Sequence, residues 1–361
     1  MWKNKIYFRL IILGLGATTI LVTFQLRELK IFDRSYRFKE TVIKEISKTS
    51  DEEAIFSFIR ENIEDLLQNS GVEETVEIVQ YAVERGKMKF VYCHNLLHIV
   101  GHEAYQVYSG DLNRLAEHLT PMCQYAYEHG VDAEIVSSGE AGKFNKLREW
   151  CGLIKSQSGN ENSLCYHGAG HAFMRGNIGD IETALRQCEK IDPSGDPSNC
   201  WAGVFSEFGA LLLGYDSDTG LSIQGKRLAS NLFVPPLKFC ENLELRHREP
   251  CVSQLTKTVV DVNDAPRSFI ACSQPGYGLE TKKICTRFFS FFYFDQRLHF
   301  QEKVDIPEAV FKLSEPLQKE FISGALQGFT EAKQSGLTRD EVSFCKTFRS
   351  DSDSAFCLSL L

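Results

Sequence analysis

Twelve cysteines in a chain of 361 residues narrow the fold more than any other feature, because ten of them fall into short, nearly equal pairs. Cys151 and Cys165, Cys188 and Cys200, Cys240 and Cys251, Cys272 and Cys285, and Cys345 and Cys357 are separated by 14, 12, 11, 13 and 12 positions. The stretches between them (KSQSGNENSL, EKIDPSGDPSN, ENLELRHREP, SQPGYGLETKKI, KTFRSDSDSAF) are mostly loop-like, rich in Gly, Pro, Ser, Asn and Asp. Helical periodicity lies outside them: DIETALRQC runs into Cys188 and CWAGVFSEFGALLLG runs out of Cys200. The expectation is local pairing, each bridge stapling the loop between two helices, with Cys93 and Cys123 left to each other. A bridge closing a loop of this size contributes ~3 kcal/mol in the chain-entropy treatment.

If the second cysteine of each pair opens a unit, units begin at Cys123, Cys165, Cys200, Cys251 and Cys285, spaced 42, 35, 51 and 34. Those intervals suit αα-hairpin repeats with insertions. The fold expected is all-α, a disulfide-stapled, solenoid-like hairpin repeat over 93–361, with capping helices over 39–92. In the capping region DEEAIFSFIRENIEDLLQ and VEETVEIVQYAVERG read as amphipathic helices ended by Gly71 and Gly86. The run FFSFFYF (Phe288 to Phe294) suits a strand in isolation, but its place after Cys285 matches the helix starts elsewhere.

So many paired cysteines imply an oxidising compartment. Leu10 to Leu26 is an uncharged apolar run preceded by Lys3, Lys5 and Arg9. It reads as an uncleaved signal anchor: residues 1–9 cytoplasmic, 10–26 crossing the membrane, 27–38 a short stalk, and the body extracytoplasmic, on the periplasmic face of a bacterium or its equivalent. The net charge of −8 disfavours nucleic acid as a partner. The chain has no C-x-x-C, which removes the usual zinc-ribbon, thioredoxin and c-haem readings. Gly220 to Arg227 (GLSIQGKR) resembles a phosphate loop without its hydroxyl, so no nucleotide is expected. His102 and Glu103 begin H-E-x-x-H, but Gln106 stands where the second histidine belongs. Asp216 and Asp218 in YDSDTG lack the later ligands of a calcium loop.

The chemical signal is histidine. Seven of nine lie between His94 and His171. His94, His98 and His102 follow i, i+4, i+8 spacing, and His167 and His171 repeat the i, i+4 step, which lets two imidazoles on one helix face grip one ion. Both His129 and His171 lie six positions after a cysteine, with Ser206 and Glu207 at the matching place after Cys200. The expected ligand set is therefore His98, His102, His129, His167, His171 and Glu207, converging on one concave surface. His94, Glu103 and Glu128 are expected behind them, supporting the ligands. Gly130, Gly168, Gly170 and Gly203 accompany these positions, a helix-weakening choice that goes with either close helix approach or room for a ligand. Isolated His118, His247 and His299 read as ordinary core or surface residues.

Imidazole ligation with at most one carboxylate suits zinc, copper or iron rather than magnesium or calcium. The function expected is metal binding, and if enzymatic, metal-dependent hydrolysis or oxidation. The rival is a non-catalytic scaffold for a protein or peptide of the cell envelope, since helical stacks commonly present such a surface. A third reading, a membrane-associated structural subunit, predicts an exposed apolar patch at Phe288, Phe289, Phe291, Phe292 and Phe294.

Overall fold

The computed structural model describes residues 39–361 apart from 86–87, 89, 121, 124, 139–141, 159–162, 179, 192–195, 215–234, 300–304 and 335–339. The segments expected as tail, anchor and stalk (1–38), Gly86, the phosphate-loop look-alike and the YDSDTG turn lie outside the described residues. Among the described residues there is no strand, and no helix is long and apolar enough to cross a membrane.

Helices follow one another with short connections: α1 (39–48), α2 (Glu52–Glu84), α3 (Phe90–Val107), α4 (Leu112–Ala116), α5 (Ala126–Ser137), α6 (Lys143–Ser158), α7 (Ser163–Gly176), α8 (Ile181–Ile191) and α9 (Ser198–Leu213). After the next gap come α10 (Pro236–Glu241), α11 (Leu245–Thr256), α12 (Ala265–Cys272), α13 (Leu279–His299), a 3-10 turn (Glu308–Lys312), α14 (Glu315–Gln334), α15 (Glu341–Cys345) and α16 (Asp351–Ser359). Several starts carry their own cap: the Asp51 carboxylate accepts from the Glu53 and Ala54 amides, and Asp111 accepts from Asn113 and Arg114. Gly71 interrupts α2 with φ +88°, a left-handed value that glycine adopts without strain, so the two expected capping helices meet there at a kink.

All six expected disulfides form: Cys93–Cys123, Cys151–Cys165, Cys188–Cys200, Cys240–Cys251, Cys272–Cys285 and Cys345–Cys357. Their position within the helices is less regular than the spacing suggested. Cys188 lies near the end of α8 and Cys200 at the start of α9, but α11 begins at Leu245, well before Cys251, and Cys357 lies near the end of α16. The bridges therefore tie helix to helix, and the second cysteine does not always open a helix.

Two compact units divide the chain. The first runs to Glu134 and includes Ser156–Ser158; the second holds most of the rest from Ile135. In the first, Ile55, Ile59, Ile63 and Leu66 of α2 form one buried face, the i, i+4 pattern legible in the sequence. In the second, Phe289 and Phe294 are fully buried, with ring centroids 4.9 Å from Phe269 for the first and 5.7 Å from Phe321 and 5.1 Å from Phe344 for the second. FFSFFYF is thus helix, as expected, and the five-phenylalanine exposed patch is not formed. Phe288, Phe291 and Phe292 are half-buried, and Lys257 lies over the Phe288 and Phe292 rings.

Candidate metal centre

Helices α3 and α5 cross at two glycines. A Cβ on Gly101 would lie 2.1 Å from the Tyr127 carbonyl oxygen, and one on Gly130 would lie 2.1 Å from that of His98, so only glycine permits this approach. Closeness of the two backbones is what lets short imidazole side chains from both helices meet.

His94 and His98 of α3 and His129 of α5 form the meeting point. Each offers a nitrogen, and these three atoms lie within 4.8 Å of one another. The ring centroids of His94 and His98 are 4.7 Å apart, and His129 lies 5.8 Å and 5.3 Å from them. His98 and His129 are buried and His94 is half-buried, so solvent reaches the group on the His94 side. Nδ1 of His94 donates to the Cys123 carbonyl oxygen at 2.7 Å, because a carbonyl can only accept. That fixes the tautomer and points the His94 Nε2 lone pair at His98 Nε2, 3.1 Å away. Two nitrogen ligands of a tetrahedral ion at ~2.0–2.1 Å lie ~3.3 Å apart, so this edge already has a ligand spacing.

The segment that presents the Cys123 carbonyl is held on several sides. The Cys93–Cys123 bridge ties it to α3, the Thr120 amide donates to Glu128 at 2.9 Å, and Cys123 and Tyr125 have left-handed φ values of 52° and 58°. Such conformations in residues other than glycine cost energy and persist where the surroundings enforce them.

Carboxyl groups surround His129 in sequence. Burial pushes Glu128 up to about 8, only partly offset by its backbone hydrogen bonds, and its second oxygen is buried without a hydrogen-bond partner. Asp132, fully buried on the same helix, is pushed well above the usual carboxylate range by burial and by Glu128. Burial thus opposes the ionised form of both acids, and positive charge brought in beside them would favour it.

The sequence-derived ligands group by unit. His98 and His129 join the first-unit triad, and His94, expected as support, is a member of it. His102 turns away. Eight residues on from His94 it lies about 80° around the helix, and its Nδ1 donates to Glu134 Oε1 at 2.8 Å while Gln106 donates to the other oxygen at 2.5 Å. Glu134 is held below the usual carboxylate range, first by the His102 hydrogen bond. Glu134 was missed from the sequence. Glu103 is half-buried and not one of the triad's ligands. In the second unit, His167 and His171 of α7 face each other with Nε2 atoms 3.2 Å apart, and His171 Nδ1 donates to Glu207 Oε2 at 3.1 Å. Glu207 therefore holds a histidine ring and is not set beside the imidazoles as a ligand.

His118 and His247 take the ordinary roles expected: His118 stacks on and hydrogen-bonds Tyr108, and His247 stands edge-on to Trp201. No protein-family model matches the chain, and neither a curated protein nor a solved structure matches it.

Proposed function

We propose that this chain is a membrane-anchored, extracytoplasmic helical protein that binds a transition-metal ion through His94, His98 and His129. The observation that carries the reading is the triad itself: three imidazoles from two helices within 4.8 Å, one with its tautomer fixed by a backbone carbonyl. Six disulfides support the oxidising compartment, and the charge-flanked run at 10–26 supports the anchor.

Three neutral nitrogen ligands would leave the +2 charge of a bound zinc uncompensated, and zinc so held would supply a water with a pKa lowered to about 7. That is the chemistry of hydrolysis or hydration, and it is the activity proposed for a zinc-loaded site; copper or iron in the same ligands would suit oxidation. An ion there would also favour ionisation of buried carboxyl groups near it, an ionisation that burial alone opposes.

The test is metal content. After dialysis against zinc the purified full chain should retain a tightly held equivalent, and His98→Ala and His129→Ala should each lose it while all six disulfides stay intact. Absence of tightly held metal in the unmutated chain would leave the rival reading, a non-catalytic protein- or peptide-binding scaffold.

A further inference from the structure

The α3/α5 crossing is built a second time in the other unit. On the first helix of each pair the sequence reads H-x-x-G-H, His98 to His102 and His167 to His171; on the second it reads G-x-x-x-E, Gly130 to Glu134 and Gly203 to Glu207. The contacts correspond atom for atom. A Cβ on Gly170 would lie 2.0 Å from the Cys200 oxygen and one on Gly203 would lie 1.9 Å from the His167 oxygen, as Gly101 meets Tyr127 and Gly130 meets His98. His171 is bound to Glu207 as His102 is to Glu134.

A third crossing, α13 with α14, shows what the architecture alone demands. A Cβ on Gly324 would lie 2.0 Å from the Arg287 oxygen, and Ser290, standing where Gly101 and Gly170 stand, donates its hydroxyl to the Phe321 oxygen at 2.7 Å. Here the places of the two histidines and the glutamate are taken by Arg287, Phe291 and Gly328. Close helix approach therefore needs the small residues and not the imidazoles or the carboxylate.

We propose that the α7/α9 crossing is a second transition-metal site, independent of the His94–His98–His129 centre, with His167 and His171 as its two protein ligands. The Nε2 separation of 3.2 Å matches the ligand edge of the first centre. Glu207, its side chain 1% exposed, is the positioning residue: it accepts from His171 Nδ1, leaving Nε2 as the metal-facing nitrogen, and Arg175 braces its other oxygen at 3.4 Å. His167 is half-buried, so the site opens on that side and its remaining positions fall to water or to a small anionic or nitrogenous ligand. Two ligands among the described residues, against three at the first centre, make it the weaker site.

Metal-stripped full chain, purified in mild detergent, is titrated with Zn²⁺ against a chromophoric chelator and separately with Cu²⁺ followed by electron paramagnetic resonance. Two classes of site are expected. The double substitution His167→Gln/His171→Gln should remove the weaker class and its copper signal and spare the tighter one; His94→Gln/His98→Gln should do the reverse. Glu207→Gln should weaken the second site about 10–100-fold and shift its copper spectrum without lowering the melting temperature. The third crossing predicts that the double variant folds, and intact disulfides with an unchanged near-ultraviolet dichroism spectrum check it. An unchanged isotherm and spectrum for His167→Gln/His171→Gln would overturn this proposal and leave the first centre standing; loss of metal only in that variant would do the opposite.

Discussion

The Cys123 carbonyl oxygen accepts the Nδ1 hydrogen of His94 at 2.7 Å, and the residue before His94 is Cys93, the disulfide partner of Cys123. One covalent bridge therefore sets both ends of the hydrogen bond that orients the ring. Replacing both cysteines with serine should weaken the tighter metal class about 10–100-fold and leave the weaker one unchanged. Chelator-competition titration measures it. Equal weakening of both classes would mean that the bridge acts on general stability alone.

Packing at the crossings gives a contrast among glycines. Gly101→Ala or Gly203→Ala forces a methyl against a carbonyl oxygen and should destabilise by about 3 kcal/mol or more, at or beyond the usual range for overpacking. Gly152, exposed in α6, has nothing within 4 Å of its would-be Cβ, and Gly152→Ala should stabilise by up to ~1 kcal/mol. Urea denaturation of the three variants tests this; similar effects at Gly101 and Gly152 would contradict the close approach.

How much of this was legible beforehand depends on the range of the interaction. The disulfides could be read because each joins neighbours in sequence, and the Phe288–Phe294 helix because Cys285 fixed its place in the series. The register of the histidines could not. Counting six residues from a cysteine aligned His129 with His171, whereas the glycine contacts align His102 with His171 and Gly130 with Gly203. Spacing alone sets His94 behind the ligands and His102 among them, because i+4 and i+8 partners are not told apart by sequence spacing. What separates them is the backbone at Cys123 and at Tyr125, whose left-handed conformations occur without a glycine to announce them. The repeated H-x-x-G-H and G-x-x-x-E could have been found by aligning glycines instead of cysteines.

Burial holds His247 below the ordinary histidine range, and the neighbouring Arg246 guanidinium adds to the effect. Its Nε2 is buried without a hydrogen-bond partner, edge-on to Trp201. Just below the ordinary histidine pKa of about 6.5, the unfolded chain takes up a proton there that the folded chain does not. Stability tied to this group is thus full above that value and falls as pH drops through it. His247→Phe, which keeps the ring contact and removes the titration, should reduce the loss of stability between pH 7.5 and 5.5. Denaturation midpoints at the two pH values decide; an unchanged difference would show that His247 does not carry it.

The orientation proposed from Lys3, Lys5 and Arg9 is checked by fusion after Leu361. A reporter that works only outside the cytoplasm should be active there. Strong signal from a cytoplasm-only reporter would reverse the orientation and remove the compartment in which six disulfides are expected to form.

Three imidazoles, His94, His98 and His129, hold the first metal ion in the function proposed. Zinc K-edge X-ray absorption on the full chain loaded with a single equivalent reads that coordination shell directly. About three imidazole ligands with Zn–N near 2.0–2.1 Å and one light-atom ligand completing the shell are expected. A shell of oxygen atoms alone, or one that still holds about three imidazoles after His98→Ala and His129→Ala, would contradict it.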